Sequence, residues 1–205
     1  MRFVVLFLGL FVIGYSAPAF AGMAEARQAY LEENWEKAIA ELRPLADGGD
    51  AEALLLLGNM YNDGNGVIQD HRKAMELFQG SALRENSQAM ISIATMYATG
   101  MGVERSWQEA MSWYQKSAML NNQTGQFFLA LFLLQGEPGK EGGMAVDKKG
   151  AYKWFRVAAM GNQVPAVKDM AGKFSYKLAE DLTTAEVTAI EAEIKDWKPS
   201  LATSP

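Results

Sequence analysis

The chain has 205 residues, 49% hydrophobic and 21% charged, with a formal net charge of −5, no cysteine and one histidine. That apolar fraction excludes a disordered chain, and 19 glycines and 6 prolines are too few for a low-complexity one. No disulfide framework, thiolate metal site or polyhistidine site can be built, and the acidic balance opposes non-specific nucleic-acid binding, which needs clustered Lys and Arg.

Residues 1–21 read as an address. Arg2 precedes an apolar run from Phe3 to Ile13, which Gly14 and Pro18 break before Ala19-Phe20-Ala21. The run is about half the ~20 apolar residues that span a bilayer, and small residues stand where a signal peptidase cuts. The expectation is a secretory signal cleaved after Ala21, with no cysteine there for a lipid anchor and no membrane insertion of the mature chain. Removing 21 of 205 residues, Arg2 among them and none acidic, leaves 184 residues and a net charge of −6. A secreted chain that needs no oxidative folding fits a bacterial periplasm, with release from the cell as the other destination.

Beyond Ala21 the sequence repeats itself. Tyr61 recurs as Tyr97, Gly64 as Gly100, Gly66 as Gly102 and Val67 as Val103, each 36 residues on. Two alanine series, Ala38-Ala74-Ala110-Ala151 and Ala46-Ala82-Ala118-Ala159, advance by 36, 36 and 41. The longer step reflects extra residues within the loop EPGKEGGMAV of the third repeat.

Each repeat predicts two helices around a glycine turn. In the first, Ala53, Leu57, Met60 and Tyr61 share one face of a helix A near 51–62, and Gly64 and Gly66 suit positive φ in the turn that follows. Asn34, Asp70, Ser106 and Asp147 each stand four residues before an alanine of the first series, where a side-chain oxygen can cap a helix B. Ser106-Trp107-Gln108-Glu109 also fits a capping box. Helix B then carries a bulky pair, Leu77-Phe78, Trp113-Tyr114 or Trp154-Phe155, between small residues. Such a pattern lets helices approach closely while the aromatics fill the space between, and Trp113 is expected in that core. One repeat alone cannot bury these faces; stacked repeats can.

These residues resemble the Sel1-like repeat, a relative of the tetratricopeptide repeat. Leu57-Gly58-Asn59-Met60-Tyr61-Asn62-Asp63-Gly64-Asn65-Gly66-Val67 follows its pattern almost throughout, and Ile93 to Val103 follows it with Ala94 for the first glycine. The third repeat departs, with Leu133 for the tyrosine and an interrupted glycine loop. Tyr30 to Ala53 resembles a shorter tetratricopeptide-like repeat without the glycine loop, in which Pro44 should kink or shorten the second helix. The resemblance implies an all-α, right-handed α–α superhelix. The expected division is a signal peptide over 1–21, a tetratricopeptide-like repeat over 22–50, Sel1-like repeats over 51–87, 88–123 and 124–163, and C-terminal capping helices over 164–198. In the tail, Thr183-Thr184-Ala185-Glu186 forms a capping box, and Val187, Ile190, Ile194 and Trp197 share one stripe before Pro199 stops the helix.

Little in the sequence points to chemistry. His71, one residue past a helix cap, reads as solvent-exposed and has no catalytic partner. Asp63 and Asp70 flank a turn that lacks the bidentate glutamate of a calcium loop, and no Gly-Lys-Ser or Gly-Lys-Thr follows the glycines. The 12 methionines read mostly as core gap fillers. No catalytic residue, metal ligand or cofactor is assigned.

Comparing helix A positions gives a sharper signal. The first, fourth, eighth and eleventh positions are Glu52, Leu55, Asn59 and Asn62, then Gln88, Ile91, Thr95 and Ala98, then Thr124, Phe127, Leu131 and Leu134. The family fold would put this stripe on the concave side, so apolarity grows along a groove. The candidate partner-binding residues are Leu55, Asn59, Ile91, Thr95, Phe127, Leu131 and Leu134, with Phe127 and Leu131 as anchors for an apolar segment of another protein. The competing expectation is that the tail helices or the third loop cover them.

The function this implies is an exported, non-enzymatic adaptor or scaffold that binds another protein or a peptide segment, as Sel1-like proteins generally do. Two alternatives are a cell-wall enzyme or β-lactam-binding protein and a structural subunit of an envelope complex. Some cysteine-rich relatives are described as β-lactam-binding, but this chain lacks every one of their cysteines and any Ser-x-x-Lys motif.

Overall fold

The computed structural model describes residues 19–137 and 143–199, and the regular structure among them is helical. The expected leader lies, but for its last three residues, outside the described residues. Ten helices follow one another: α1 (Ala19–Leu31), α2 (Trp35–Asp47), α3 (Ala51–Asp63), α4 (His71–Ala82), α5 (Ser87–Thr99), α6 (Trp107–Met119), α7 (Gln123–Gln135), α8 (Lys148–Met160), α9 (Pro165–Ala179) and α10 (Thr184–Lys195). The odd members up to α7 are helices A, the even members up to α8 helices B. Each pair packs within itself and on the next, which makes a solenoid.

Capping sets the helix starts. Asn34, Asp70, Ser106 and Asp147 accept hydrogen bonds from the N–H groups of Lys37, Lys73, Glu109 and Gly150. A second series, Asp50, Asn86 and Asn122, does the same for α3, α5 and α7. Each such cap is worth roughly 1 kcal/mol. Gly64 and Gly100 close α3 and α5 in the left-handed region at φ 76° and 78°, a conformation that costs a side chain little only in glycine. Pro44 does not shorten α2, which reaches Asp47 and has the same 13 residues as α3. It sits in the last turn, where few N–H bonds remain to be lost.

The core follows the small-and-large pattern, with one correction. In each bulky pair the second residue is buried, as Phe78, Tyr114 and Phe155, while Leu77, Trp113 and Trp154 are half-buried. Trp113 lies towards the surface, with the Lys116 ammonium 3.8 Å from the ring centroid. A Cβ at Gly58 would stand 2.5 Å from the Phe78 ring, so glycine there lets α3 and α4 meet. On the polar side, Ser81 Oγ donates to Ala51 O at 2.6 Å and Ser117 Oγ to Ser87 O at 2.9 Å. In the third repeat the link is reversed: buried Gln123 donates through Nε2 to Ala158 O at 2.7 Å, and its Oε1 accepts from Val164 N–H.

The tail stacks on the last repeat. α9 lies along α8, with Val167, Ala171 and Leu178 buried, and α10 folds back over α8 through Ile190 and Ile194, with Val187 and Trp197 beside them. The reciprocal capping box forms at Thr183 and Glu186. Four ion pairs bind the basic α8 to acids around α10: Lys148–Asp181, Lys149–Glu186, Lys153–Glu193 and Arg156–Glu191.

Two predictions follow from this arrangement. Gly49, Glu85 and Asn121 occupy equivalent turns between pairs, all at positive φ, and Glu85 sits at 59°. Glu85→Gly therefore raises stability by about 1 kcal/mol, read by denaturant unfolding. The Lys149 ammonium, then the Thr183 N–H and hydroxyl, hold the Glu186 carboxyl down to about 2, while Lys148 and Arg156 lower Asp181 and Glu191. Because these folded values lie below the unfolded ones, the stabilisation is complete above the ordinary carboxylate range and is lost as pH falls towards about 2. The melting temperature of Glu186→Gln falls less steeply over that window than that of the unmodified chain.

Candidate protein-binding groove

Helices α3, α5 and α7 lie side by side, and a cleft of about 240 Å³ opens along them. Asn59 and Asn62 come from α3; Gln88, Ile91, Ser92 and Thr95 from α5; Met101 from the turn after α5; and Phe128 from α7. No lining residue carries a formal charge. Thr95 Oγ1 lies 3.1 Å from the Tyr114 hydroxyl, whose pKa burial raises and Thr95 partly restores. Phe128 stacks on the same Tyr114 ring with centroids 5.8 Å apart. Towards the N-terminal end, Arg27 holds Glu52 through two bonds of 2.7 and 2.6 Å.

The structure brings Asn59, Ile91 and Thr95 to one cleft. It corrects the fourth position of the frame. Leu55, Ile91 and Phe127 are only 9%, 5% and 6% exposed. Leu55 packs in the core with Phe78, Met90 and Ile93, and Ile91 in one with Tyr114, Leu129 and Phe132. Phe127 meets Phe155 and Phe174 with ring centroids 5.5 and 6.0 Å away, so α8 and α9 close it off. It is not an exposed anchor. Leu131 and Leu134 are half-buried against the same C-terminal core and do not line the cleft.

The exposed aromatic is its neighbour Phe128, at 38%. One helical step turns a side chain by about 100°, so only one of two adjacent phenylalanines faces the core. The sequence holds part of the signal: the equivalents of Phe127 are Leu55 and Ile91, both apolar, whereas of the equivalents of Phe128 Ser92 is polar and Leu56 is not.

His71 is half-buried rather than exposed, with Nδ1 3.1 Å from Asn62 Oδ1. A Cβ at Gly102 would stand 2.7 Å from His71 Cβ, which puts the residue at a joint between repeats. Among the described residues, no group of three or more His, Cys, Asp or Glu could hold a metal ion, and no helix is long and apolar enough to cross a membrane.

Phe127→Ala should cost about 3–5 kcal/mol in denaturant unfolding, as loss of a buried aromatic does, and Phe128→Ala less, about 1–2 kcal/mol. Equal losses would put the frame back where the sequence alone had it.

The chain is similar to a crystal structure of a Sel1 repeat protein from Oxalobacter formigenes, with a TM-score of 0.62 and 23% identity over 76% of this chain and 60% of that one. It is also similar to the crystal structure of c5321, a protective antigen present in uropathogenic Escherichia coli strains displaying an SLR fold, with a TM-score of 0.52 and 18% identity over 90% of this chain and 50% of that one. At these identities the likeness is one of fold, and the chain spans between half and three-fifths of the length of these proteins. A search of curated proteins gave no match. The family model of the Sel1 repeat matches residues 51–85, 87–122 and 124–163, more than half of the chain and the same helix pairs whose caps and glycine notch are described above, so the chain belongs to the Sel1 repeat family.

Proposed function

We propose that the chain is an exported, non-enzymatic scaffold that holds a segment of another protein against α3, α5 and α7. Sel1 repeat proteins generally act in protein–protein interaction. The observation that carries the assignment of a face is Phe128, an exposed aromatic beside an uncharged cleft. Amide and hydroxyl groups there offer both donors and acceptors, and Phe128 and Met101 offer apolar area. The packed repeats preorganise the cleft, so binding orders few side chains. The apolar leader, with small residues before Gly22, supports export.

Both halves can be tested in cells. A photoreactive residue at Ser92 is expected to crosslink a discrete partner that the same probe at Gln79, exposed on helix B, does not reach, and Phe128→Glu should abolish the product. Equal capture from both faces would contradict the assignment. Sequencing of the mature N-terminus should begin at Gly22; a chain retaining Met1 would refute cleavage.

A further inference from the structure

Among the described residues, α9 resembles a helix A on which no following helix B packs. Residues of α9 follow those of α3 in register: Val167 stands where Ala53 does, and Ala171-Gly172 where Leu57-Gly58 do. Val167 and Ala171 are buried as their counterparts are. At Gly58 an added Cβ would strike Phe78 of α4, whereas at Gly172 it would meet nothing within 4 Å among the described residues. The sequence of α10 explains the vacancy. Four and eight residues after their caps, the helices B carry alanine and then Leu42, Phe78, Tyr114 or Phe155; α10 carries Val187 and Glu191. A valine in the close-contact position and a carboxylate in the aromatic one cannot fill that seat, and α10 lies on α8 instead. An open depression of about 700 Å³ remains, lined in part by Lys168, Gly172 and Tyr176.

We infer that a second copy of this chain fills the seat, through α9 packed antiparallel on α9. Lys168, Gly172, Tyr176 and Glu180 are spaced by four and form one ridge on the helix surface. Read in order the ridge is a cation, a notch, a knob and an anion. Tyr176 is 77% exposed, and Lys168 and Glu180 are exposed as well. Turned about a two-fold axis between 172 and 176, the ridge meets itself: each Tyr176 enters the Gly172 notch of the other copy, as Phe78 enters that of Gly58, and each Lys168 meets a Glu180. Lys168 need only release its bond to Asn162 Oδ1 to do so. This face is separate from the cleft at Phe128, so the inference does not rest on the proposed function.

Sedimentation equilibrium of the full chain over a wide concentration range tests it. A monomer–dimer equilibrium is expected. Tyr176→Ala and Gly172→Leu should each weaken it by about thirtyfold or more, with melting temperatures at least as high as the parent for Gly172→Leu, since leucine favours a helix over glycine. Lys168→Glu or Glu180→Lys alone should weaken it about tenfold, and the two together should restore it. A chain that stays monomeric throughout, or association that none of these changes alters, overturns the inference.

Discussion

Everything in this solenoid depends on a close approach between each helix A and its helix B, set by a small residue opposite a large one. Phe78 occupies the space a Cβ on Gly58 would need. Ala94 and Tyr114 share one core cluster, and Ala130 and Phe155 another, so the notch is shallower but recurs. Packing at native density makes each such fit exacting: a methyl group too many against a ring held in place costs about 1–3 kcal/mol. Because each repeat buries its apolar faces only against its neighbours, an error at one notch weakens the joints on both sides.

The joints between repeats use a different device. Gly66 lies over Trp35, and Gly102 over His71, in each case the first residue of the preceding helix B. Positive φ at both glycines bends the loop down, and the absence of a Cβ lets it touch. The loop of the third repeat is longer, and there Gly136, at φ 63°, turns the chain against Met144 and Val146. The preceding helix B there, α6, opens on Trp107, whose Nε1 has no hydrogen-bond partner among the described residues. Trp107 packs against Phe132, with ring centroids 4.2 Å apart and the planes tilted by 31°. The reversed Gln123 link then holds the end of α8 and the start of α9 together.

Much of this was legible in the sequence because it is local. Caps at Asn34, Asp70, Ser106 and Asp147 need only a side-chain oxygen and a nearby N–H, and the box at Thr183 likewise. The alanine series announced the close contacts because alanine is what remains when nothing larger fits. What was not legible depends on neighbours distant in sequence. Phe127 and Phe128 are chemically identical; only α8 and α9 decide that the first is core and the second surface. His71 looked exposed until Gly102, 31 residues on, was found against it. Pro44 looked disruptive because its distance from the end of α2 was unknown. The kinship of α9 with α3 was hidden because its glycine loop is missing and its turn is one residue longer.

A double-mutant cycle on Gly58 and Phe78 tests the notch most directly. Gly58→Ala in the otherwise unmodified chain should lower unfolding free energy by about 1–3 kcal/mol, through overpacking against the ring. In a Phe78→Ala background the same change should cost nothing, or stabilise α3 slightly as alanine replaces glycine in a helix, giving a coupling energy above about 1 kcal/mol. Strict additivity of the two substitutions would mean that the small residue and the aromatic do not interlock, and the stacked-repeat account would lose its foundation.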